Sequence, residues 1–226
     1  MDAKERKKIR MNKYIVVEGV DYSGKSTVLR YLQQALTERD IDSIITAHPG
    51  STQLGKALRQ IIKDPTINVD KQTRSILLAA DNMEFQASIA KPLMSSQTWL
   101  LADRSNFISS FAYQIADGIS MEDVKKCHDV VLNPRKIDHC FIFDIDFDTM
   151  AQRKSQRGAE LDYYERDKKH FEKLRTAYSR IMDNKHHLTD FIDHDDDYIP
   201  NIHFMNGADP TEKSVEKILR TLDLLF

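Results

Sequence analysis

The chain has 226 residues, of which 41% are hydrophobic and 30% charged, as in a soluble globular protein long enough to bury one large core. Its formal net charge of −2 argues against general nucleic-acid binding, for which a basic domain is expected. The two cysteines, Cys127 and Cys140, have neither zinc-site spacing nor the density of a disulfide scaffold. No apolar run reaches the roughly 18 residues that a membrane span needs. We therefore expect a cytoplasmic protein with reduced thiols and no membrane partner.

Residues 1–13 are basic and are not followed by the hydrophobic stretch of a secretory signal. They are predicted to be a solvated tail, with attraction of phosphate groups as the alternative role. No linker rich in proline, glycine or serine divides the rest of the chain. Residues 14–226 are therefore predicted to form a single domain.

Short apolar runs alternate with longer helical patterns along this domain. The predicted strands are 14–19, 43–47, 98–104, 139–145 and 201–205. The predicted helices are 25–39, 52–63, 71–95, 107–116, 121–132, 147–157, 164–182 and 210–225. Because the strands are continuously apolar, they should be buried on both faces. The pattern predicts an α/β fold in which a parallel five-stranded sheet has helices on both faces.

The segment GVDYSGKS, residues 19–26, matches the phosphate-loop pattern Gly-x4-Gly-Lys-[Ser/Thr] between a predicted strand and a predicted helix. Glycines allow backbone N–H groups to converge on phosphate oxygens at the positive end of the helix. Lys25 is expected to reach the β- and γ-phosphates of a nucleoside triphosphate, and Ser26 to bind Mg²⁺. The residues predicted to bind the nucleotide are Gly19, Asp21, Ser23, Gly24, Lys25, Ser26 and Thr27.

Two other classes of phosphate-loop protein fit the sequence less well. A signalling GTPase would carry an Asn-Lys-x-Asp guanine site, but the Asn-Lys pair at Asn184 is followed by two histidines. Mechanical or regulatory ATPases usually carry partner domains, and this chain has no room for one. These two classes are therefore not favoured.

Five separated segments resemble the thymidylate kinase family, in the family's order. They are EGVDYSGKST (18–27), HPGSTQLGKALR (48–59), LLADRSNFISSFAYQ (100–114), FDIDFDTMAQRKSQRGAELDYYE (143–165) and IHFMNGADPTEKSVEKIL (202–219). The resemblance implies a P-loop nucleoside monophosphate kinase that uses Mg-ATP to phosphorylate dTMP or a related deoxynucleotide. It also implies a homodimer and a lid at about residues 153–165.

The resemblance assigns roles to particular residues. Arg104 would grip the acceptor phosphate, Asp103 would contact Mg²⁺ together with Ser26, and Arg153 and Arg157 would be the lid arginines. The expected catalytic residues are therefore Lys25, Arg104, Arg153 and Arg157. Asp21 would bind the sugar 3′-hydroxyl, and Tyr113 would crowd the 2′ position and so favour deoxyribose. The full acceptor set is Asp21, His48, Pro49, Leu78, Asn82, Arg104, Tyr113, Gln114 and Tyr164.

The base pocket departs from the family pattern, which commonly has phenylalanine, two or three small residues and then an arginine that reads the thymine edge. Leu78 stands at the aromatic position and Asn82 at the arginine position. A kinase of altered base specificity is therefore one alternative. A deoxynucleoside kinase is another, since Arg104-Ser105 resembles that class; its hydroxyl acceptor would need a general base, for which His48 is the candidate.

Overall fold

The computed structural model describes residues 12–64, 66–131, 134–156, 158, 168–183 and 200–225. Their centre is a sheet of five parallel strands in the order β2-β3-β1-β4-β5. The strands are β1 Tyr14–Gly19, β2 Ser43–Ala47, β3 Trp99–Asp103, β4 His139–Asp144 and β5 Asn201–Asn206. The predicted α/β fold with a parallel five-stranded sheet is confirmed.

Strand β1 is the middle of the sheet and is buried along its whole length. Its register places Val17 beside Asp103 of β3 and Gly19 beside Phe143 of β4. Because parallel strands end at the same edge of a sheet, the loops that follow β1, β3 and β4 lie together. This edge carries the candidate site.

The eight longer helices of the described chain surround the sheet. They are α1 Lys25–Thr37, α2 Gln53–Lys63, α3 Lys71–Phe85, α4 Asn106–Ala116, α5 Met121–Asp129, α6 Phe147–Gln156, α7 Lys168–Asp183 and α8 Thr211–Thr221. One apolar cluster joins the sheet to α3, α4 and α7, and a second joins it to α1 and α8. The helices therefore cover both faces of the sheet, as predicted. Among the described residues, no helix is both long and apolar enough to cross a membrane.

The prediction of one continuous helix over 71–95 is wrong in detail. Helix α3 ends at Phe85, a π-helical segment follows at Gln86–Ala90, and a short helix completes the element at Lys91–Leu93. A π segment admits an extra residue into the helical turn, and such segments frequently mark functional sites. Helix α1 also ends two residues early, because Asp40 has a left-handed φ of 56° that closes the turn after Thr37.

Candidate active site

The phosphate loop runs from the end of β1 to the start of α1, in the strand–loop–helix context that the motif requires. Gly19 and Gly24 have positive φ values of 123° and 96°. A β-carbon on Gly19 would lie 2.0 Å from the carbonyl oxygen of Phe143, so the neighbouring strand leaves room only for glycine. Packing against β4 therefore explains the first glycine of the motif.

Lys25 is folded against this loop and is only 5% exposed. Its Nζ donates to the carbonyl oxygen of Val20 at 2.6 Å and to Ser23 Oγ at 3.3 Å. Burial and the nearby positive charge of Arg104 lower the pKa of Lys25 to about 8. The ammonium is thus confined to the phosphate loop.

Ser26 and Asp103 bring two oxygen ligands together where β3 ends. Ser26 Oγ donates a short hydrogen bond to Asp103 Oδ2. A hydroxyl beside a carboxylate suits Mg²⁺, which is usually held by one or two protein oxygens together with substrate phosphates. No group of three or more His, Cys, Asp or Glu side chains in the described part of the chain forms a metal cage. The donor set therefore fits a magnesium ion shared with a nucleotide.

Arg104 directly follows β3 and lies beside the phosphate loop. Its Nη1 donates to the carbonyl oxygen of Gly19 at 3.0 Å and to the Tyr178 hydroxyl at 3.1 Å, and its Nη2 donates to Asp21 Oδ1. The guanidinium carbon lies 5.0 Å from the centre of the Tyr113 ring. Arg104 has a φ of 74°, which is uncommon for a residue with a side chain and occurs most often at functional sites.

The charges of this cluster keep Asp21 ionised. Burial raises the pKa of the Asp21 carboxyl, but Arg104 and Lys25 outweigh burial, and the pKa falls to about 2. The Tyr113 hydroxyl lies 3.5 Å from Asp21 Oδ2. Asp21, Arg104 and Tyr113, three of the residues that the resemblance assigns to the acceptor, therefore lie together.

Glu18 is a member of this cluster that the sequence interpretation missed. It is fully buried and accepts hydrogen bonds from the backbone N–H of Ser105 at 2.7 Å, from Ser109 Oγ at 2.9 Å and from the Tyr178 hydroxyl at 2.9 Å. Burial raises the pKa of Glu18, and Arg104 and these donors act against that rise. A charged residue within the apolar run of β1 was the available signal for it.

Asp81, which was also missed as a site residue, holds the loop that follows β2. Its carboxylate accepts from the backbone N–H of Gly50 at 3.1 Å and from Asn106 Nδ2 at 2.8 Å. His48 Nδ1 lies 3.4 Å from Asp81 Oδ2, and the His48 ring packs edge-on against Phe85 with centroids 4.0 Å apart. His48 is 2% exposed, so its surroundings are those of a packing residue.

The two residues that depart from the family pattern lie on α3. Leu78 is half-buried and Asn82 is buried. Gln114 on α4 is also buried, and neither its Oε1 nor its Nε2 has a hydrogen-bond partner among the described residues. Helices α3 and α4 pack against each other, so these predicted pocket residues belong to one region.

A cavity of about 220 Å³ borders the phosphate loop. Its lining includes Ser23, Gly24 and Thr27 of the loop region, Gly207 and Asp209 after β5, and Arg153 of α6. Arg153 Nη1 donates to the carbonyl oxygen of Tyr22 at 3.0 Å, which places this guanidinium directly on the loop. The predictions for Arg157, Tyr164 and most of the lid at 153–165 lie outside the described residues.

Comparison with known proteins agrees with this geometry. The family model described as "Thymidylate kinase" matches residues 17–194. The chain is 33% identical to the thymidylate kinase of Nitrosospira multiformis, covering 74% of this chain and 81% of the relative. It is 32% identical to the thymidylate kinase of Trichodesmium erythraeum, with 76% and 87% covered, and 32% identical to that of Halothermothrix orenii, with 76% and 84% covered. The chain therefore belongs to the thymidylate kinase family.

Proposed function

We propose that this protein transfers the γ-phosphoryl group of Mg-ATP to dTMP, giving dTDP and ADP. The observation that carries the proposal is the contact of Arg104 with Gly19. This contact joins an arginine suited to an acceptor phosphate to the first residue of the phosphate loop. Because Arg104 contacts Gly19, the proposed acceptor site is next to the proposed donor site. This arrangement suits direct transfer of a phosphoryl group from one phosphate to the other.

On the donor side, the loop N–H groups and Lys25 hold the ATP phosphates. Ser26 and Asp103 supply oxygen ligands to Mg²⁺, which would neutralise charge on the phosphate oxygens. Arg153 donates to the carbonyl oxygen of Tyr22 in the phosphate loop, and from there it would stabilise charge on the transferring group. The arginine at 157 belongs to the same proposed lid, which excludes water when it closes.

On the acceptor side, the nucleophile is itself a phosphate, whose second pKa near 6 leaves it mostly ionised at neutral pH. It needs alignment and charge neutralisation rather than a strong base. Arg104 would bind this phosphate, Asp21 the 3′-hydroxyl, and Tyr113 would exclude a 2′-hydroxyl. The base would lie against His48, Pro49, Leu78, Asn82 and Gln114, with Tyr164 contributing from the lid.

The deoxynucleoside kinase alternative requires a general base near a hydroxyl acceptor. His48 was the candidate, but it is buried between Asp81 and Phe85. That environment favours packing over proton transfer to a substrate hydroxyl. The arrangement thus favours the monophosphate acceptor.

Release of ADP from Mg-ATP tests the proposal, with dTMP, dUMP, dCMP, dAMP, dGMP and thymidine offered one at a time. We expect turnover with dTMP and none with thymidine. Turnover with thymidine alone would replace the proposal by a nucleoside kinase.

We also propose that the protein is a homodimer whose interface includes the outer face of α3. Ile76 and Met83, seven residues apart on that face, are 61% and 47% exposed, and Leu54 and Ile61 are exposed on the adjacent α2. Large apolar side chains grouped on a surface typically mark an interface. Light scattering should give a dimer mass for the wild type and for Val130→Glu, an exposed control position elsewhere, and a monomer mass for Met83→Glu. A monomeric wild type would refute the interface.

A further inference from the structure

Tyr22, within the phosphate loop, has a backbone conformation that is uncommon for a residue with its side chain. Its φ is 61°, in the left-handed region that glycine adopts readily and that bulky residues rarely enter. A glycine would therefore fit this turn better than an aromatic residue. Such a conformation persists only where surrounding contacts fix it, and residues of this kind cluster at functional sites. The tyrosine is therefore expected to make contacts that offset the cost of its backbone.

Helix α6 supplies those contacts from two consecutive residues. Arg153 Nη1 donates to the carbonyl oxygen of Tyr22 at 3.0 Å, and Lys154 Nζ lies 5.8 Å from the centre of the Tyr22 ring. A lysine ammonium within about 6 Å of an aromatic face is attracted by the ring. Consecutive residues of a helix point in directions about 100° apart. Two such contacts to one residue therefore fix both the position of α6 and its rotation about its own axis.

Lys154 is buried to a degree that is uncommon for lysine. It is 4% exposed, whereas lysine is almost never fully buried unless it is paired. A cation shielded from water interacts more strongly with an aromatic face than an exposed one does. The Tyr22 ring is half-buried and packs against the apolar cluster that joins the sheet to α3, α4 and α7. Lys154 thus contacts a ring that the core itself holds in place.

The same contacts bring α6 to the cavity that borders the phosphate loop. Tyr22, Gly24 and Arg153 all line this cavity. Arg153 Nη1 would lie 4.0 Å from a β-carbon on Gly24, and Gly24 is the N-cap of α1. The free N–H groups at the start of a helix attract phosphate oxygens. The guanidinium of Arg153 is therefore beside the groups that are expected to bind the donor phosphates.

We infer that Tyr22 and Lys154 are a pair of positioning residues for Arg153. Lys154 holds the Tyr22 ring, and this contact keeps the Arg153 guanidinium on the phosphate loop, where it stabilises the phosphoryl group in transfer. The inference rests on the proposed function. The two side chains act through Arg153 and not on the reacting atoms. Because Arg153 acts on charge that develops during transfer, the pair contributes to kcat and not to the binding of either substrate.

Lys154→Met keeps the apolar stem of the side chain and removes its charge. We expect kcat to fall by about 10-fold, with the KM values for ATP and dTMP within about twofold of the wild type. Lys154→Arg keeps a cation over the ring and should retain most of the wild-type kcat. The control is Lys168→Met, because Lys168 lies 5.2 Å from the Phe147 ring and so joins α7 to α6 in a second pair of the same kind. It should leave kcat unchanged.

Tyr22→Gly removes the ring at a backbone conformation that suits glycine, so it tests the pair even if Lys154→Met does not fold. It should lower kcat by about 10-fold, whereas Tyr22→Phe, which keeps the ring, should stay near the wild-type kcat. Arg153→Met should lower kcat at least as far. Adding Lys154→Met to Arg153→Met should change kcat by less than about twofold, because the guanidinium that the pair positions is already absent.

The inference is overturned if folded Lys154→Met or Tyr22→Gly keeps kcat within about twofold of the wild type. It is also overturned if Lys154→Met lowers kcat equally with and without Arg153. A wild type that does not phosphorylate dTMP would instead contradict the proposed function. Denaturant unfolding of Lys154→Met, Tyr22→Gly and the double variant then tests the pair without any substrate. A shift of the midpoint in the double variant that is smaller than the sum of the single shifts would support the pair, and additive shifts would overturn it.

Discussion

The Tyr178 hydroxyl links Arg104 to Glu18. It accepts a hydrogen bond from Arg104 Nη1 at 3.1 Å and donates one to Glu18 Oε2 at 2.9 Å. Burial raises the pKa of Tyr178 well above its usual range, so the hydroxyl keeps its proton for Glu18. Helix α7 thereby holds one side of the guanidinium that we assign to the acceptor phosphate.

Tyr178→Phe removes this link with little change of shape. We expect kcat/KM for dTMP to fall by about 10-fold, because Arg104 loses one of its fixed contacts and Glu18 loses one donor. The KM for ATP should stay near the wild-type value. Steady-state kinetics, with dTMP and ATP varied in turn, will show whether only the parameters for dTMP change. Tyr31→Phe, at a half-exposed position on α1, is the control, and equal changes for both substrates would argue against a positioning role.

Lys25→Met should abolish most of the activity without unfolding the protein. We expect turnover to fall by at least about 100-fold, since an ammonium at the transferring phosphates stabilises charge in the transition state. Stability should be equal or higher, because the charged form of Lys25 is disfavoured by burial. Kinetics and thermal unfolding of the same preparation measure both effects. Near-normal turnover in the folded variant would refute the assignment of Lys25.

The pH dependence of ATP use should report the pKa of Lys25, which burial lowers to about 8. Above that pH the free enzyme loses the ammonium that attracts phosphates, so kcat/KM for ATP should decrease on the alkaline side. Bound phosphates favour the charged form, so the corresponding decrease in kcat should occur at higher pH. Identical alkaline limbs in the two profiles would exclude Lys25 as their origin.

The lowered pKa of Lys25 should also make the free energy of unfolding depend on pH. Between pH 8 and the ordinary lysine pKa near 10.5, the unfolded chain holds a proton that the folded chain has released. The contribution of Lys25 to the free energy of unfolding therefore rises with pH in that window. The free energy of unfolding can be measured by denaturant titration for the wild type and for Lys25→Met at several pH values in this range. The difference between the two proteins at each pH gives the contribution of Lys25. A difference that is flat across the window would contradict the lowered pKa.

Gly55→Ala should destabilise the loop that follows β2, which Asp81 holds at Gly50. A β-carbon at Gly55 would lie 2.2 Å from Asp81 Oδ1, the carboxylate that holds the backbone of Gly50. We expect a loss of about 1–3 kcal/mol in the free energy of unfolding, together with weaker dTMP binding. Denaturant unfolding and calorimetry provide the two measurements. Lys56→Ala, the exposed next position on α2, should change neither, and unchanged binding in Gly55→Ala would separate this loop from the acceptor site.

The sequence by itself determined the elements whose causes are local. The continuous apolar run of β1 and the Gly-x4-Gly-Lys-Ser motif predicted the strand, loop and helix correctly, because all of the interacting groups lie within a few consecutive residues.

Only the tertiary structure decided which distant side chains meet. Glu18 and Tyr178 are 160 positions apart, and Asp81 reaches Gly50 across 31, so no local pattern predicts these contacts. The break of the predicted helix at Phe85 depends on how that helix packs against α4 and the loop before β4. Buried polar groups must find partners wherever the fold provides them, and the fold is what brings those partners within hydrogen-bonding distance.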